Sequence, residues 1–444
     1  MSTVVNEASQ IDAADATPAT RAGYLLFALT AACLLSFVDR FTLNVLLGSI
    51  KASIHLSDGQ IGLLVGFAFS IFFSVMAMPF GWAVDRWNRR NLVLAGLIVW
   101  SLATAVSGLA TNFEQLFVAR IFVGVGEATL MPAAYSMLAD AFPAQKRGRA
   151  YGTFSIAVYA GGGVALVLGG ALLQLSATLV NTIPSLMGLE PWHLVFLIIG
   201  VAGVPMAAIM LGAPEPPRRQ ISEEGGQKIS VLRYVWSHRA AFAWVLAVYT
   251  LYSYVSYGIL PWAPTLMVRK FGMEPATAGL VIGLVTLLGG LGGALAGGVM
   301  VDRWVVRGVR GGRLRATIFW WIGSAITIPC FAFMPMPSGA AAGYCGFIFL
   351  NSFVYVSMST TFHDMVPATL RGRITSFWYV VAYIGVGIGP LATGLITDHW
   401  FLSPAALPQA IVLMSAPALL VGLLCTLRAI PYYDAQRALT RGGT

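Results

Sequence analysis

The sequence predicts an all-α integral membrane protein whose twelve transmembrane helices form two pseudo-symmetric bundles of six. Of its 444 residues, 57% are hydrophobic and only 10% are charged, whereas a soluble domain carries about 25% charged residues. The apolar residues also lie in long continuous segments, unlike the alternating segments of about ten residues that a transmembrane β-barrel requires. Water is therefore not the main solvent of this chain.

Each predicted helix is a segment long enough to cross a bilayer, which takes about 20 apolar residues. The twelve segments are 22–48, 58–80, 91–110, 115–139, 149–174, 191–213, 240–262, 276–300, 315–336, 341–362, 374–397 and 408–428.

The basic residues predict the orientation of these helices. If the N-terminus is inside, one set of loops holds Arg86, Arg89, Arg90, Lys146, Arg147, Arg149, Arg218, Arg219, Lys228, Arg233, Arg239, the cluster 303–315, Arg371 and Arg373. The loops on the other side hold only Lys51, Arg269 and Lys270. The positive-inside rule then places both termini in the cytoplasm, and we expect a bacterial inner membrane. The net charge of +9 thus reflects topology and not binding to nucleic acid.

Composition also divides the chain. The polar segment "APEPPRRQISEEGGQKIS" (213–230) is the one long polar interior stretch, and its Pro and Gly-Gly punctuation indicates a linker. We expect a disordered cytoplasmic tail at 1–20, a bundle at 21–213, a cytoplasmic linker at 214–238, a second bundle at 239–430 and a cytoplasmic tail at 431–444.

The two bundles resemble each other in sequence. The segments "DAFPAQKRGR" (140–149) and "DMVPATLRGR" (364–373) share the pattern D-x-x-P-A-x-x-R-G-R at an offset of 224 residues, and the same offset superposes Tyr159 on Tyr383 and several glycines on one another. These matches indicate a duplicated six-helix unit. Parallel repeats of this kind are typical of two-half secondary transporters, whose substrate site lies near the midplane.

A charged turn is also repeated, as "GWAVDRWNRR" (81–90) and "GVMVDRW" (298–304). In this motif the sequence resembles the major facilitator superfamily, which implies that the turn belongs to a cytoplasmic gate. We expect Asp85 to face helix eleven and to pair with Arg147 or Arg149 only when the cytoplasmic ends of the bundles meet. The predicted gate residues are Gly81, Asp85, Arg86, Arg90, Asp140, Arg147, Arg149, Asp302, Arg303, Asp364 and Arg371.

Four charges lie inside predicted spans: Asp39 and Arg40 in the first, and Arg120 and Glu127 in the fourth. Each costs about 2.5–3.5 kcal/mol near the bilayer centre on insertion scales, so the four must pair with one another or line a wet cavity. One interpretation is a purely structural ion-pair network between the two helices. The other is a coupling role, which is better motivated because a buried ion pair is often no more stable than an apolar substitute.

The coupling hypothesis assigns a role to each charge. Burial favours the neutral form of a carboxylic acid, so Asp39 or Glu127 accepts a proton. Arg40 or Arg120 then loses its partner and binds an anionic group of the substrate, which favours symport. A cationic substrate would instead compete with the proton for the acids, which favours antiport.

Longer sequence segments resemble one particular branch of the superfamily. The segments "SFVDRFTLN", "LSDGQIGLLVGFAFS" and "RIFVGVGEA" look like the spinster-like branch, whose proton-linked transporters move lysophospholipids and related amphiphiles. On this resemblance, Asp39, Arg40, Arg120 and Glu127 match the membrane-embedded charges of that branch. The anion:cation symporters of organic acids share the Asp-Arg and Gly-Glu-Ala motifs, so small organic or aromatic acid anions stay an alternative substrate class.

The predicted spans of the second half contain aromatic rings and hydroxyl groups in place of buried charges. Its candidate substrate-binding residues are Tyr252, Asn351, Tyr355 and Ser359, and the first half adds Asn44 and Tyr135. Hydrogen bonding between helices is the alternative role for these polar groups. Trp262 is expected in the aromatic belt at the membrane interface.

Other classes of protein find little support. No nucleophile–base pair, metal cluster or nucleotide loop predicts an enzyme, and the glycine-rich segments lie inside apolar spans, where close packing explains them. A non-transporting membrane receptor or sensor stays the alternative of a different class. We expect no cofactor other than the coupling proton, no metal, a lipid or small-molecule substrate, contact with membrane lipids, no nucleic acid and a monomer.

Overall fold

The structure, a computed structural model, describes residues 19–218, 230–367 and 370–442. These residues form twelve helices long and apolar enough to cross a membrane, which confirms the predicted fold class and the number of spans. The helices are α1 (Thr20–Ile54), α2 (Asp58–Arg86), α3 (Arg89–Ser107), α4 (Phe113–Ala141), α5 (Gln145–Thr182), α6 (Pro191–Leu211), α7 (Arg239–Phe271), α8 (Pro275–Val306), α9 (Gly312–Phe333), α10 (Pro337–Asp364), α11 (Phe377–Trp400) and α12 (Pro404–Thr440).

Local signals in the sequence account for several helix ends. Ser57 and Gln60 form a capping box at the start of α2, and Asn88 and Asn112 cap α3 and α4 through their side chains. A short helix, Val231–Ser237, precedes α7 within the predicted linker. Helical structure continues beyond the span of α12 to Gly442, so most of the predicted tail at 431–444 is helical. Residues 1–18 and 219–229 lie outside the described residues.

The two ends of the helical bundle differ in charge. We call the end that carries residues 86–90, 140–149, 302–315 and 364–367 the basic end. The end that carries residues 51–58, 269–275 and 396–404 is called the opposite end. This division follows from the alternating direction of consecutive helices.

Glycines bring α5 and α8 of the two halves into direct contact. A Cβ atom added at Gly163 would stand 2.8 Å from the carbonyl oxygen of Gly283, and one at Gly170 would stand 2.7 Å from that of Ala276. Small residues allow helices in membranes to approach in this way. The prediction that close packing explains the glycine-rich segments is therefore confirmed at α5 and α8.

A second contact between the halves joins α2 to α11. Added Cβ atoms at Gly62 and Gly66 would meet the carbonyl oxygens of Pro390 and Gly387 at 2.5 and 2.4 Å. Both helices contain a π-helical turn in this region, Leu63–Phe67 and Ile396–Trp400. The halves are therefore in backbone contact from the opposite end toward the membrane centre.

At the basic end the halves are apart. Among the described atoms, none lies within 4 Å of a Cβ atom added at Gly81, Gly148 or Gly298. The rings of Trp82 and Trp87 at the end of α2 are more than half exposed. The structure is thus closed between the halves at the opposite end and separated at the basic end.

Candidate functional site

The four charges inside the membrane pair crosswise between α1 and α4. Arg40 Nη2 lies 2.6 Å from Glu127 Oε2, and Arg120 Nη1 lies 2.9 Å from Asp39 Oδ1. The acid of each helix therefore neutralises the arginine of the other, which confirms that these charges pair with one another. α4 is interrupted at Ala128 and Thr129, directly after Glu127, as is typical of helices that line transporter sites.

The Asp39–Arg120 pair is a buried structural tie. Both side chains are 1% exposed, and the hydroxyl of Thr104 in α3 donates to Asp39. The pair thus joins α1, α3 and α4. In this conformation the pair has almost no surface through which a ligand could reach it. The roles of Arg120 as an anchor for substrate and of Asp39 as a candidate for proton uptake stay predictions.

The Arg40–Glu127 pair is different because Arg40 keeps 17% of its side chain exposed. Its guanidinium carbon lies 4.0 Å from the centre of the Phe69 ring, with the rings of Phe37 and Phe73 at 5.6 and 5.4 Å. Aromatic faces stabilise a cation at these distances. Arg40 is therefore a partly accessible cation inside a collar of rings, and its one carboxylate partner is buried.

The second half completes this collar. The ring of Tyr383 in α11 stacks on Phe73 with their centres 5.0 Å apart, and Tyr383 and Tyr257 both lie close enough to Arg40 to interact with its charge. Neither tyrosine is among the predicted site residues, and Tyr383 stands out in the sequence only as the repeat equivalent of Tyr159. The aromatic collar comprises Phe37, Phe69, Phe73 and Tyr383.

Two of the predicted polar residues of the second half bind each other. The Tyr252 hydroxyl donates to the backbone and side-chain oxygens of Asn351 at 2.8 and 2.9 Å, and Asn351 Nδ2 donates to Ser256 at 2.5 Å. Tyr252 is buried against Trp320. In this structure the two side chains form a hydrogen-bonded tie between α7 and α10, the alternative that the sequence left open. Their assignment to substrate binding stays a prediction.

The remaining candidates are scattered. Asn44 is buried, Tyr355 is half-buried, and Tyr135 is exposed near the basic end, where its ring contacts those of Tyr151 and Phe154. The side chain of Ser359 lies outside the described residues. None of these three described side chains belongs to the aromatic collar.

Trp262 is not an interfacial residue. It is fully buried, and its indole nitrogen donates to the carbonyl oxygen of Pro390 in α11 at 3.3 Å. The prediction that it belongs to the aromatic belt is wrong, because the helix turns inward at Leu260–Trp262 and carries the ring into the contact between α7 and α11.

At the basic end of the first half, charges form a network around Arg89. This arginine is 1% exposed, binds Asp140 and Ser136, and lies 2.8 Å from Glu215 Oε1. Glu215 also accepts the backbone N–H of Arg90, at the N-terminus of α3. Arg89 is predicted as a basic loop residue, whereas nothing in the sequence of the polar linker singles out Glu215 as its partner.

The second half has a matching network around Asp364. Arg313 Nε lies 3.1 Å from Asp364 Oδ2, which also accepts the hydroxyl of Tyr433 at 2.7 Å. Asp302 lies 3.8 Å from Arg313. The gate residues Asp140, Asp302 and Asp364 are thus held within their own halves.

The other predicted gate residues do not meet across the halves in this structure. Asp85 is exposed, and its carboxylate makes no ion pair with the described residues. Arg147 instead donates to the carbonyl oxygen of Phe142, and Arg86 stacks on Trp82. The contact of Asp85 with Arg147 or Arg149 is therefore not formed while the basic end is separated. Arg149 and Arg303 are exposed, and the side chain of Arg371 lies outside the described residues.

The described residues contain no group of His, Cys, Asp and Glu side chains placed to hold a metal ion. The four cysteines are free thiols, each on a different helix.

Twelve spanning helices in two repeated halves, with a paired charge cluster between α1 and α4, define the class of two-half membrane transporters. A family model described as "Major Facilitator Superfamily" matches residues 29–363. The chain therefore belongs to the Major Facilitator Superfamily.

Several characterised proteins are similar to this chain at low identity. An MFS-type efflux pump of Mycolicibacterium smegmatis is 27% identical, with 88% of each chain covered. Protein spinster homolog 1 of Rattus norvegicus is 26% identical over 82% of this chain and 71% of its own. A probable L-galactonate transporter of Escherichia coli is 25% identical over 83% of this chain and 81% of its own.

A solved structure shares the whole fold. The inward-facing, unoccupied crystal structure of a bacterial homolog to the human lysosomal transporter spinster aligns with a TM-score of 0.78 at 23% identity, covering 96% of this chain and 99% of that one. The resemblance of the sequence to the superfamily and to its spinster-like branch is thus confirmed.

Proposed function

We propose that this protein is a proton-coupled secondary active transporter that works by alternating access and that Glu127 and Arg40 couple proton to substrate. The observation that carries the proposal is the unequal exposure of the two buried ion pairs. Arg40 is partly accessible and Arg120 is not, so only the Arg40–Glu127 pair is placed to exchange its partner for a ligand.

The coupling follows from charge balance at this pair. When Glu127 takes up a proton, its carboxyl group no longer neutralises Arg40, and an anionic group of the substrate replaces it. Proton and anion then bind cooperatively, because each makes the binding of the other more favourable. Cooperative binding of the two leads to symport.

The aromatic collar supports an anionic or zwitterionic amphiphile as substrate, lysophospholipid-like or sphingolipid-like. An acidic head group would bind Arg40, and the four rings of the collar would contact the apolar body next to it. The similarity to spinster homolog 1 favours this class. The similarity to a probable L-galactonate transporter and to a hexuronate transporter of Bacillus subtilis favours the second candidate, small organic acid anions.

Orientation follows from the basic residues. We place the basic end in the cytoplasm of a bacterial inner membrane, by the positive-inside rule. The separated basic end then makes the present arrangement an inward-facing one, with Arg40 reached from the cytoplasm.

Uptake into proteoliposomes tests the proposal. The purified protein is assayed with a labelled lysophospholipid and with galactonate, with and without an imposed pH gradient. We expect accumulation that depends on the gradient and that Glu127→Gln abolishes, whereas exchange of substrate across the membrane continues. Accumulation that does not depend on the pH gradient, or that is unchanged in Glu127→Gln, contradicts the proposal.

A further inference from the structure

A groove runs between α3 and α4 on the surface of the first half. It has a volume of about 650 Å³, within the range of about 300–1,000 Å³ that is typical of ligand pockets. The small, buried side chains of Ala103 and Ala119 form its floor. Leu102, Val118 and Phe122 form its sides, and each is about half exposed or more. The groove therefore has the size of a ligand site and an apolar lining along most of its length.

The groove faces outward from the bundle, behind the Asp39–Arg120 ion pair. Val118 and Phe122 lie two residues before and after Arg120 on α4. Two residues turn a helix by about 200°, so these side chains point away from α1. The lining residues of α3 stand in the same relation to Thr104, whose hydroxyl binds Asp39. In a membrane the groove is therefore open to lipid and not to the space between the halves.

The length of the groove matches one leaflet of a bilayer. It begins at Glu114 and Gln115, in the first turn of α4 at the opposite end, and reaches Phe122. Eight residues of helix rise about 12 Å, and one leaflet is about 15 Å of a hydrocarbon core of about 30 Å. Glu114 and Gln115 are the polar residues of its lining. The polar end thus lies at the depth of lipid head groups and the apolar part at the depth of acyl chains.

The polar end of the groove offers an acceptor and a donor side by side. Glu114 is exposed, and its carboxylate makes no ion pair with the described residues. The side-chain oxygen of Gln115 accepts the backbone N–H of Thr111 at 2.8 Å. This bond orients the amide and leaves its NH₂ group to donate elsewhere. A head group that contains both an ammonium and a phosphate would pair with both side chains.

Charge distinguishes the lipids that this end would accept. An anionic head group without a cation is repelled by Glu114. The quaternary ammonium of choline has no N–H group to donate to a carboxylate, whereas a primary ammonium has three, like that of lysine. Hydrogen bonds between an ammonium and a carboxylate are among the strong ones. The pattern therefore favours a primary ammonium.

A second copy of the chain fits the polar end less well. Among the described residues, the opposite end holds three lysine or arginine side chains, Lys51, Arg269 and Lys270. All three are engaged within the chain, two on Asp58 and the third on backbone carbonyl oxygens. A neighbouring copy would therefore bring no free lysine or arginine to Glu114.

We propose that the groove binds one phospholipid whose head group carries a primary ammonium, as that of phosphatidylethanolamine does, in the leaflet at the opposite end. The ammonium pairs with Glu114, the phosphate accepts from Gln115, and one acyl chain lies over Ala103 and Ala119. The chain fills the space between α3 and α4 directly behind the buried ion pair. This lipid is a structural ligand of the first half and is distinct from a transported substrate.

Native mass spectrometry of the full chain in detergent tests the inference without a transport assay. The protein is titrated with dioleoyl phosphatidylethanolamine, phosphatidylcholine and phosphatidylglycerol, which differ only in the head group. The parent should bind one phosphatidylethanolamine more tightly than either other lipid. Glu114→Gln should weaken that binding about tenfold, as the loss of a charge-assisted hydrogen bond predicts, and leave phosphatidylcholine unchanged. Glu274→Gln, which removes an exposed carboxylate of the same end in the second half, is the matched control.

Two further variants separate recognition of the lipid from a structural role of Glu114 at the start of α4. Glu114→Lys reverses the charge and should make phosphatidylglycerol the preferred lipid, which a purely structural role would not do. Val118→Trp should fill the groove and weaken all three lipids, with Val201→Trp at an exposed position of α6 as its control. Should Val118→Trp fail to fold, the variants of the exposed Glu114 decide.

Three results would overturn the proposal. One is equal binding of phosphatidylethanolamine by Glu114→Gln and Glu274→Gln. Another is equal affinity of the parent for the three lipids, which would show contact with bulk lipid only. The third is a dimer that forms without added lipid and is lost in Val118→Trp, which would assign the groove to a second copy. None of these results depends on what the protein transports.

Discussion

Arg89 and Arg313 are equivalent residues of the two halves, 224 positions apart, and each binds the aspartate that ends the fourth helix of its half. Those aspartates, Asp140 and Asp364, are separated by the same 224 positions. The duplication has therefore preserved an ion pair as well as a sequence pattern. Each pair fixes the start of a third helix to the end of a fourth at the basic end, so that each half moves as one body.

The two ion pairs should differ in strength because their burial differs. Arg89 is 1% exposed and Arg313 is 20% exposed. Removing one partner of a buried pair costs about 3–5 kcal/mol, because the other charge is left uncompensated, whereas a more exposed pair contributes about 1 kcal/mol or less. We expect Arg89→Ala to lower the thermal unfolding temperature in detergent clearly more than Arg313→Ala. If the two variants lower the unfolding temperature equally, the contacts of Arg89 with Glu215 do not stabilise the protein.

Variants of the two ion pairs inside the membrane should differ in their effects on transport and on stability. Asp39→Asn leaves Arg120 buried without a charged partner, so we expect a strongly lowered unfolding temperature. Glu127→Gln removes the partner of a partly exposed arginine, so we expect a smaller loss of stability but no accumulation driven by a pH gradient. Thermal unfolding and proteoliposome uptake of the same two preparations check both expectations. The reverse pattern would assign the coupling role to Asp39.

Much of the fold could be predicted from the sequence because its signals are local. Twelve apolar segments, the linker at 214–238 and the repeat at an offset of 224 are read directly along the chain. The four charges of α1 and α4 are equally visible, and their need for partners follows from the cost of charge in a bilayer. Which acid pairs with which arginine does not follow, because it depends on the rotation of α1 against α4.

Residues brought in by the other half could not be predicted. Tyr257 and Tyr383 reach Arg40 only because α7 and α11 pack beside α1 and α2, and no periodicity in the sequence encodes that approach. The sequence places Tyr252 and Asn351 on α7 and α10, but it does not show that the two polar side chains form hydrogen bonds with each other. The sequence assigns Trp262 to the interface because it ends an apolar segment, but its ring is buried in the contact between α7 and α11.

The glycine contact between α5 and α8 should tolerate no side chain. Gly163→Val would place branched carbons against the backbone of Gly283 and against Leu287, 2.8 and 2.5 Å from the added Cβ position. We expect the halves to separate at the opposite end. Once the four native cysteines are replaced by alanine, spin labels at Met187→Cys and Met336→Cys, exposed in the loops α5–α6 and α9–α10, should be farther apart by electron–electron double resonance. Gly148→Val, at the start of the same helix, is the control, since no described atom lies within 4 Å there. A short distance in both variants would contradict this.

The charged turn at 81–90 should affect the conformational equilibrium only through the arrangement in which the basic end is closed. Asp85 forms no ion pair with the described residues. We therefore expect Asp85→Asn to change the free energy of unfolding by no more than about 0.5 kcal/mol. If Asp85 pairs with Arg147 or Arg149 once the basic end closes, the variant should favour the present arrangement. Labels at Trp87→Cys, in the loop after α2, and at Val306→Cys, the exposed last residue of α8, should then report fewer short distances. An unchanged distribution would remove Asp85 from the gate.

The aromatic collar should discriminate between the two substrate classes. Arg40 would bind the acidic group of either class, so Arg40→Ala should weaken both. The rings of Phe73 and Tyr383 would contact only a substrate with an apolar body, and losing one ring contact costs about 0.5–1.5 kcal/mol. We therefore expect Tyr383→Ala to weaken binding of a lysophospholipid about tenfold and binding of galactonate hardly at all, measured as ligand-induced shifts in thermal unfolding. Tyr383→Phe keeps the ring and should retain lysophospholipid binding. If Tyr383→Ala weakens galactonate more than the lysophospholipid, the hydroxyl beside Arg40 is the important group, and the small organic acid is the better candidate.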